Sequence, residues 1–128
     1  MIKKILLIDD DKDDQEIFVE QATEFSKSIE VVSAYNGFEA FEMLKKALPD
    51  CIFLDVNMPI MDGLEVLEKL KADQHLKHIP VSMYSTSDGY ETRKSALKLG
   101  AAHYFQKPYS VNELQQIFQT VFENELND

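Results

Sequence analysis

Ile5-Leu6-Leu7-Ile8-Asp9-Asp10-Asp11 sets four consecutive aliphatic residues directly against three carboxylates. A run this short and uninterrupted predicts a strand over Lys4 to Ile8 that is buried on both faces, because a half-exposed strand would alternate. Cys51-Ile52-Phe53-Leu54-Asp55 repeats the design, an apolar strand ending on an aspartate. Glu30 to Ala34, Val81 to Tyr84 and Tyr104 to Phe105 supply three more short strands. Segments of helical period lie between and after them: Gln15 to Phe25, Phe38 to Ala47, Leu64 to Ala72, Tyr90 to Leu99 and Val111 to Leu126. In the last of these, Leu114, Ile117, Phe118, Val121, Phe122 and Leu126 form one stripe at spacings of three and four.

Turn residues stand at the joints: Asn36-Gly37, Pro49-Asp50, Asp62-Gly63, Pro80, Asp88-Gly89, Gly100 and Pro108. Five strands alternating with five helices predict an α/β fold whose mostly parallel sheet is covered on both faces. In such open sheets ligands bind at the carboxyl ends of the strands, where the order of winding reverses.

The chain of 128 residues suits a single domain, 1–128, with 45% hydrophobic and 28% charged residues. Its formal charge of -10 repels nucleic-acid phosphates and anionic lipid, so direct nucleic-acid binding is not expected. The apolar run after Met1-Ile2-Lys3-Lys4 stops too early for a secretion signal, and no stretch is long enough to span a membrane. The lone Cys51 can form no internal disulfide and reads as a small core side chain, so a cytoplasmic setting is expected.

Asp9 and Asp10 follow Leu7 and Ile8 without a spacer and should emerge at the end of the first strand, while Asp11, Asp13 and Asp14 read as helix cap and solvated surface. Asp55 places a third carboxylate at the same edge. Three crowded carboxylates raise one another's pKa unless a positive charge neutralises them. Mg²⁺ suits that need, since it takes oxygen ligands and pairs carboxylates with phosphate. The fourth strand ends at Ser85-Thr86-Ser87 and the fifth at Lys107-Pro108, giving hydroxyls and an ammonium for phosphoryl oxygens. Together these groups point to phosphoryl transfer with Asp55 as nucleophile, because the hydroxyl, the lysine and the other two carboxylates converge on it alone.

Four pieces, Ile5 to Asp11, Leu54-Asp55-Val56-Asn57-Met58-Pro59-Ile60-Met61-Asp62-Gly63, Pro80 to Thr86, and Gly100-Ala101-Ala102 through Lys107-Pro108, resemble the receiver domain of two-component response regulators over nearly the whole chain. The resemblance implies a flavodoxin-like, doubly wound (βα)5 fold with a five-stranded parallel sheet in the order 2-1-3-4-5. It implies a single-domain response regulator, not an enzyme, whose Asp55 takes a phosphoryl group from a phosphohistidine on a sensor kinase or phosphotransfer protein. Asp10 and Asp55 would hold Mg²⁺ through their side chains, Asn57 through its backbone carbonyl and Asp9 through a metal-bound water. Ser85 and Lys107 would bind phosphoryl oxygens. Tyr104 would swing inward as Ser85 moves toward the phosphate, and a downstream protein would bind the face of the fourth helix, fifth strand and fifth helix. A cis peptide before Pro108 is also implied. The chain departs from the family's commoner residues at Ser85, Thr86 and Tyr109.

Two other readings set limits. A phosphatase of the haloacid dehalogenase type also forms an aspartyl phosphate, but it needs an acid two residues after its nucleophile, where this chain has Asn57. A receiver-like interaction module that no longer switches would be expected to have lost Asp10, Asp55 or Lys107.

Overall fold

The computed structural model describes residues 2–86 and 89–126, with side chains through residue 123. Ser87, Asp88 and the side chain of Leu126, which entered the readings above, lie outside the described residues. The elements run β1 (Lys4–Ile8), α1 (Lys12–Phe25), β2 (Glu30–Ala34), α2 (Gly37–Lys46), β3 (Cys51–Leu54), α3 (Gly63–Ala72), β4 (Val81–Ser85), α4 (Tyr90–Lys98), β5 (His103–Gln106) and α5 (Val111–Leu126). The strands form one sheet in the order β2-β1-β3-β4-β5, as expected, and every neighbouring pair is parallel.

Successive residues of a strand point to opposite faces, which explains the uninterrupted apolar runs. Leu6, Ile8, Ile52, Leu54 and Met83 face a core shared with Ala40 and Leu44 of α2, Val66, Leu67 and Leu70 of α3, and Ala96 of α4. Ile5, Leu7, Cys51, Phe53 and Tyr84 face the other core, under α1 and α5. There Phe18 meets Phe53, Phe118 and Tyr84 edge-on, with ring centroids 5.0, 5.1 and 5.6 Å away. Cys51 is buried in this second core, as its apolar surroundings in the sequence suggest.

Strand register positions the site. Ile8 pairs with Leu54 across β1 and β3, so the next residues, Asp9 and Asp55, leave the sheet side by side. Ser85 pairs with Gln106 across β4 and β5, and the ladder continues through a 2.7 Å bond from Lys107 N to the Ser85 carbonyl. All four residues thus reach the carboxyl edge, where β1 and β3 stand together and the winding reverses.

Candidate functional site

The end of β1 is held from three directions. The backbone N–H of Asp9 donates to the Ala34 carbonyl at 3.0 Å, and Asp9 Oδ1 accepts from Asp11 N at 2.9 Å. Gln15, buried in α1, donates its amide to the Asp9 carbonyl at 2.6 Å and to the Ala34 carbonyl at 3.3 Å. Asp11 caps α1 by accepting from Asp14 N at 3.0 Å, as its position in the sequence implies. Asp9 is fully buried and Asp10 is exposed.

At the end of β3, Asp55 N donates to the Ile8 carbonyl at 2.9 Å, and the following loop folds back on Asp55. Its Oδ1 accepts from Asn57 N at 3.2 Å, and Gly63 N donates to the Val56 carbonyl at 2.8 Å. The loop turns at Ile60, which is 87% exposed with φ at 71°. A 2.8 Å bond from Met61 N to the Pro59 carbonyl closes a three-residue turn around it, a strained form for a β-branched residue.

Ser85 is fully buried, and the side-chain amide of the exposed Asn57 reaches its Oγ at 3.4 Å. Thr86 is exposed beyond it. Lys107, its side chain 9% exposed, places Nζ 2.8 Å from Asp9 Oδ2, 2.7 Å from Asp14 Oδ2 and 3.3 Å from Asp55 Oδ2. Nζ also lies 5.7 Å from the centroid of the Tyr84 ring. The Lys107–Pro108 bond is trans, and the described residues contain no cis peptide, which corrects the expectation of a cis bond there. Trans is the lower-energy form by about 0.5–1 kcal/mol, and the ladder bond to Ser85 with a four-carbon stem already brings the ammonium to the carboxylates.

The electrostatics leave an excess of negative charge. Burial pushes the Asp9 carboxyl up from 3.8 to about 6, against the opposing pull of Lys107. Burial would also lower the Lys107 ammonium, but its close contacts with the Asp14 and Asp9 carboxylates outweigh this and hold it above its ordinary range. Asp9 Oδ2 is buried, and the Lys107 ammonium, 2.8 Å away, meets it as an ion pair outside good hydrogen-bond geometry. Asp9, Asp10 and Asp55 each offer a carboxylate oxygen within 4.8 Å of the others. A buried carboxylate oxygen poorly satisfied by hydrogen bonds, set among other hard oxygen ligands, fits a divalent cation.

Asp9, Asp10, Asp55, Asn57, Ser85 and Lys107 therefore come together at one edge. Tyr104 is elsewhere, beside Met83 of β4 and packed inward at 6% exposure, with the Arg93 guanidinium 5.9 Å from its ring centroid. Four contributors escape the sequence reading: Asp14, taken there as solvated surface but paired with Lys107, and Gln15, Gly63 and Tyr84. Only Gly63 carried a signal, as a glycine beginning a helix; the partners of the others are set by tertiary packing.

The family described as response regulator receiver domain matches residues 5–119. The chain is 38% identical over 108 residues to the response regulator PleD of Caulobacter vibrioides, a match covering 84% of this chain and 23% of PleD. It therefore spans about a quarter of that curated relative. The phosphorylated cyanobacterial phytochrome response regulator RcpA superposes with a TM-score of 0.85 at 34% identity, covering 96% of this chain and 93% of RcpA. The Mn²⁺-bound form of the response regulator Rcp1 superposes with a TM-score of 0.82 at 28% identity, covering 93% and 91%.

Proposed function

The chain belongs to the response regulator receiver domain family, and on that premise we propose that it is a phosphorylation switch whose acceptor is Asp55. The observation that carries the reading is the position of Asp55, with Oδ2 3.3 Å from Lys107 Nζ and the carboxylates of Asp9 and Asp10 beside it. A phosphohistidine on a sensor kinase or phosphotransfer protein presents its phosphorus to the Asp55 carboxylate. An oxygen lone pair of Asp55 forms the new P–O bond as the P–N bond breaks, and the imidazole leaves with that electron pair and takes a proton from solvent. Asp9, Asp10 and Asp55, with the Asn57 carbonyl, would hold Mg²⁺, which would supply positive charge for the phosphoryl oxygens. Lys107 pairs with one of those oxygens, and the hydroxyl of Ser85 donates to another.

The outcome is a change of binding state; the protein assists its own phosphorylation and dephosphorylation and turns over no separate substrate. Ser85 at the end of β4 and Tyr104 in the neighbouring β5, both buried, form the coupled pair through which the phosphate is felt at the face of α4, β5 and α5, where a downstream protein docks. The net charge of -10 argues against nucleic acid as that partner, and a buried lone Cys51 suits a cytoplasmic setting. The test is mass spectrometry after incubation with a small phosphodonor and Mg²⁺. Wild type should gain one phosphoryl group and Asp55→Asn none; equal gain in both would contradict the assignment.

A further inference from the structure

Lys107 carries one positive charge and three donors, and the structure gives it three carboxylates. Two of them, Asp9 and Asp55, belong to the trio that fits a divalent cation, so ammonium and cation compete for the same oxygens. The third does not. Asp14 lies in the first turn of α1, and its contact with Nζ is the shortest of the three, at 2.7 Å. Its side chain is 34% exposed while that of Asp9 is fully buried. A cavity of about 170 Å³ opens on this side, lined by Asp14, Ile17, Tyr84, Lys107 and Pro108 among others.

We propose that Asp14 is a positioning residue for Lys107, an anchor outside the metal trio that draws the ammonium away from Asp9 and Asp55 when a divalent cation arrives. The inference rests on the metal-dependent reading above. A cation held by Asp9, Asp10 and Asp55 would repel the ammonium that shares their oxygens, Nζ lying 2.8 and 3.3 Å from those of Asp9 and Asp55, and neighbouring like charges are costly in a partly buried site. With Asp14 present, Lys107 keeps a charged partner as it withdraws, and room to withdraw exists on that side. Without Asp14, withdrawal would leave the ammonium unpaired, so it would stay on the two carboxylates and oppose the cation. Lys107 also stays at the mouth of the site, ready to meet a phosphoryl oxygen.

The role predicts coupling between Asp14 and Lys107 in Mg²⁺ affinity, measured by calorimetry on the full chain in a double-mutant cycle. Asp14→Asn should weaken Mg²⁺ binding by about three- to tenfold when Lys107 is present, and by less than about twofold in the Lys107→Ala background. Asp14→Glu, which keeps the carboxylate, should stay within about twofold of wild type. An equal loss in both backgrounds would reduce Asp14 to general negative charge and overturn the proposal, as would an Asp14→Asn protein that binds Mg²⁺ as tightly as wild type or more tightly. Mg²⁺ binding by wild type without coupling would overturn only the role of Asp14. Failure of wild type to bind Mg²⁺ at all would overturn the metal-dependent reading with it.

Discussion

At Gly63 a side chain has nowhere to go, because a Cβ there would stand 2.1 Å from the backbone oxygen of Asp55 and 2.7 Å from the Cα of Val56. Both neighbours are backbone, of Asp55 and Val56, so the contact cannot be relieved by a rotamer change. Ile60, in the same loop, carries the opposite problem: its φ of 71° costs a β-branched residue roughly 1–2 kcal/mol, which glycine would avoid. Urea unfolding should therefore show opposite signs. Gly63→Ala should lose about 3 kcal/mol, while Ile60→Gly should gain about 0.5–1 kcal/mol after the greater freedom of unfolded glycine is subtracted. A destabilised Ile60→Gly protein would mean that the turn is not strained. Asp9, Asp10 and Asp55 were legible in the sequence because each stands just past the end of an apolar run. Asp14 and Gln15 were not, since nothing local distinguishes a carboxylate that meets Lys107 from one that meets water when the two lie 93 positions apart.

Element order and type could be read from periodicity, while the ends were set by groups that periodicity does not see. Helix α1, expected from Gln15, begins at Lys12, because Asp11 caps it ahead of the first buried residue. Asn36 and Asp62 likewise start α2 and α3 one residue before the apolar pattern does, each accepting from the N–H three residues on. β5 extends from His103 to Gln106 around the two residues expected, since its ends pair through backbone and need no apolar side chain. The helices also differ in how firmly the sheet holds them. α5 buries Leu114, Ile117, Phe118 and Val121, whereas α4 buries only Ala96 and leaves Tyr90 and Leu97 exposed. Gly89 gives α4 no side-chain cap. A helix with so little apolar burial opens locally at small cost, so amide hydrogen exchange in α4 should be at least about tenfold faster than in α5. Equal protection of the two would show that α4 is anchored by something other than its packing.

For the molecule as a whole, the site sets folding against the gathering of buried negative charge. The folded chain binds a proton at Asp9 more tightly than the unfolded chain does, with the pKa raised from 3.8 to about 6. Between those values the native state therefore holds more protons, so this contribution to stability is present at low pH and is lost as pH rises through about 6, by at most about 3 kcal/mol. Lys107, held above its ordinary range, stays charged throughout and loses its contribution only in strongly alkaline solution. In the absence of divalent cations, wild type should lose stability relative to Asp9→Asn as pH is raised from about 4 to 7, and saturating Mg²⁺ should restore it. A difference between the two proteins that does not change with pH would contradict the buried charge. The long separation of the site's parts bears finally on how the chain is made. Lys107 follows Asp55 by 52 residues and belongs to the end of β5, the edge strand. At about 5–20 residues per second, a ribosome releases Asp55 roughly 3–10 s before Lys107. Until the last strand docks, the growing polypeptide carries its acidic cluster without the ammonium that offsets part of its charge.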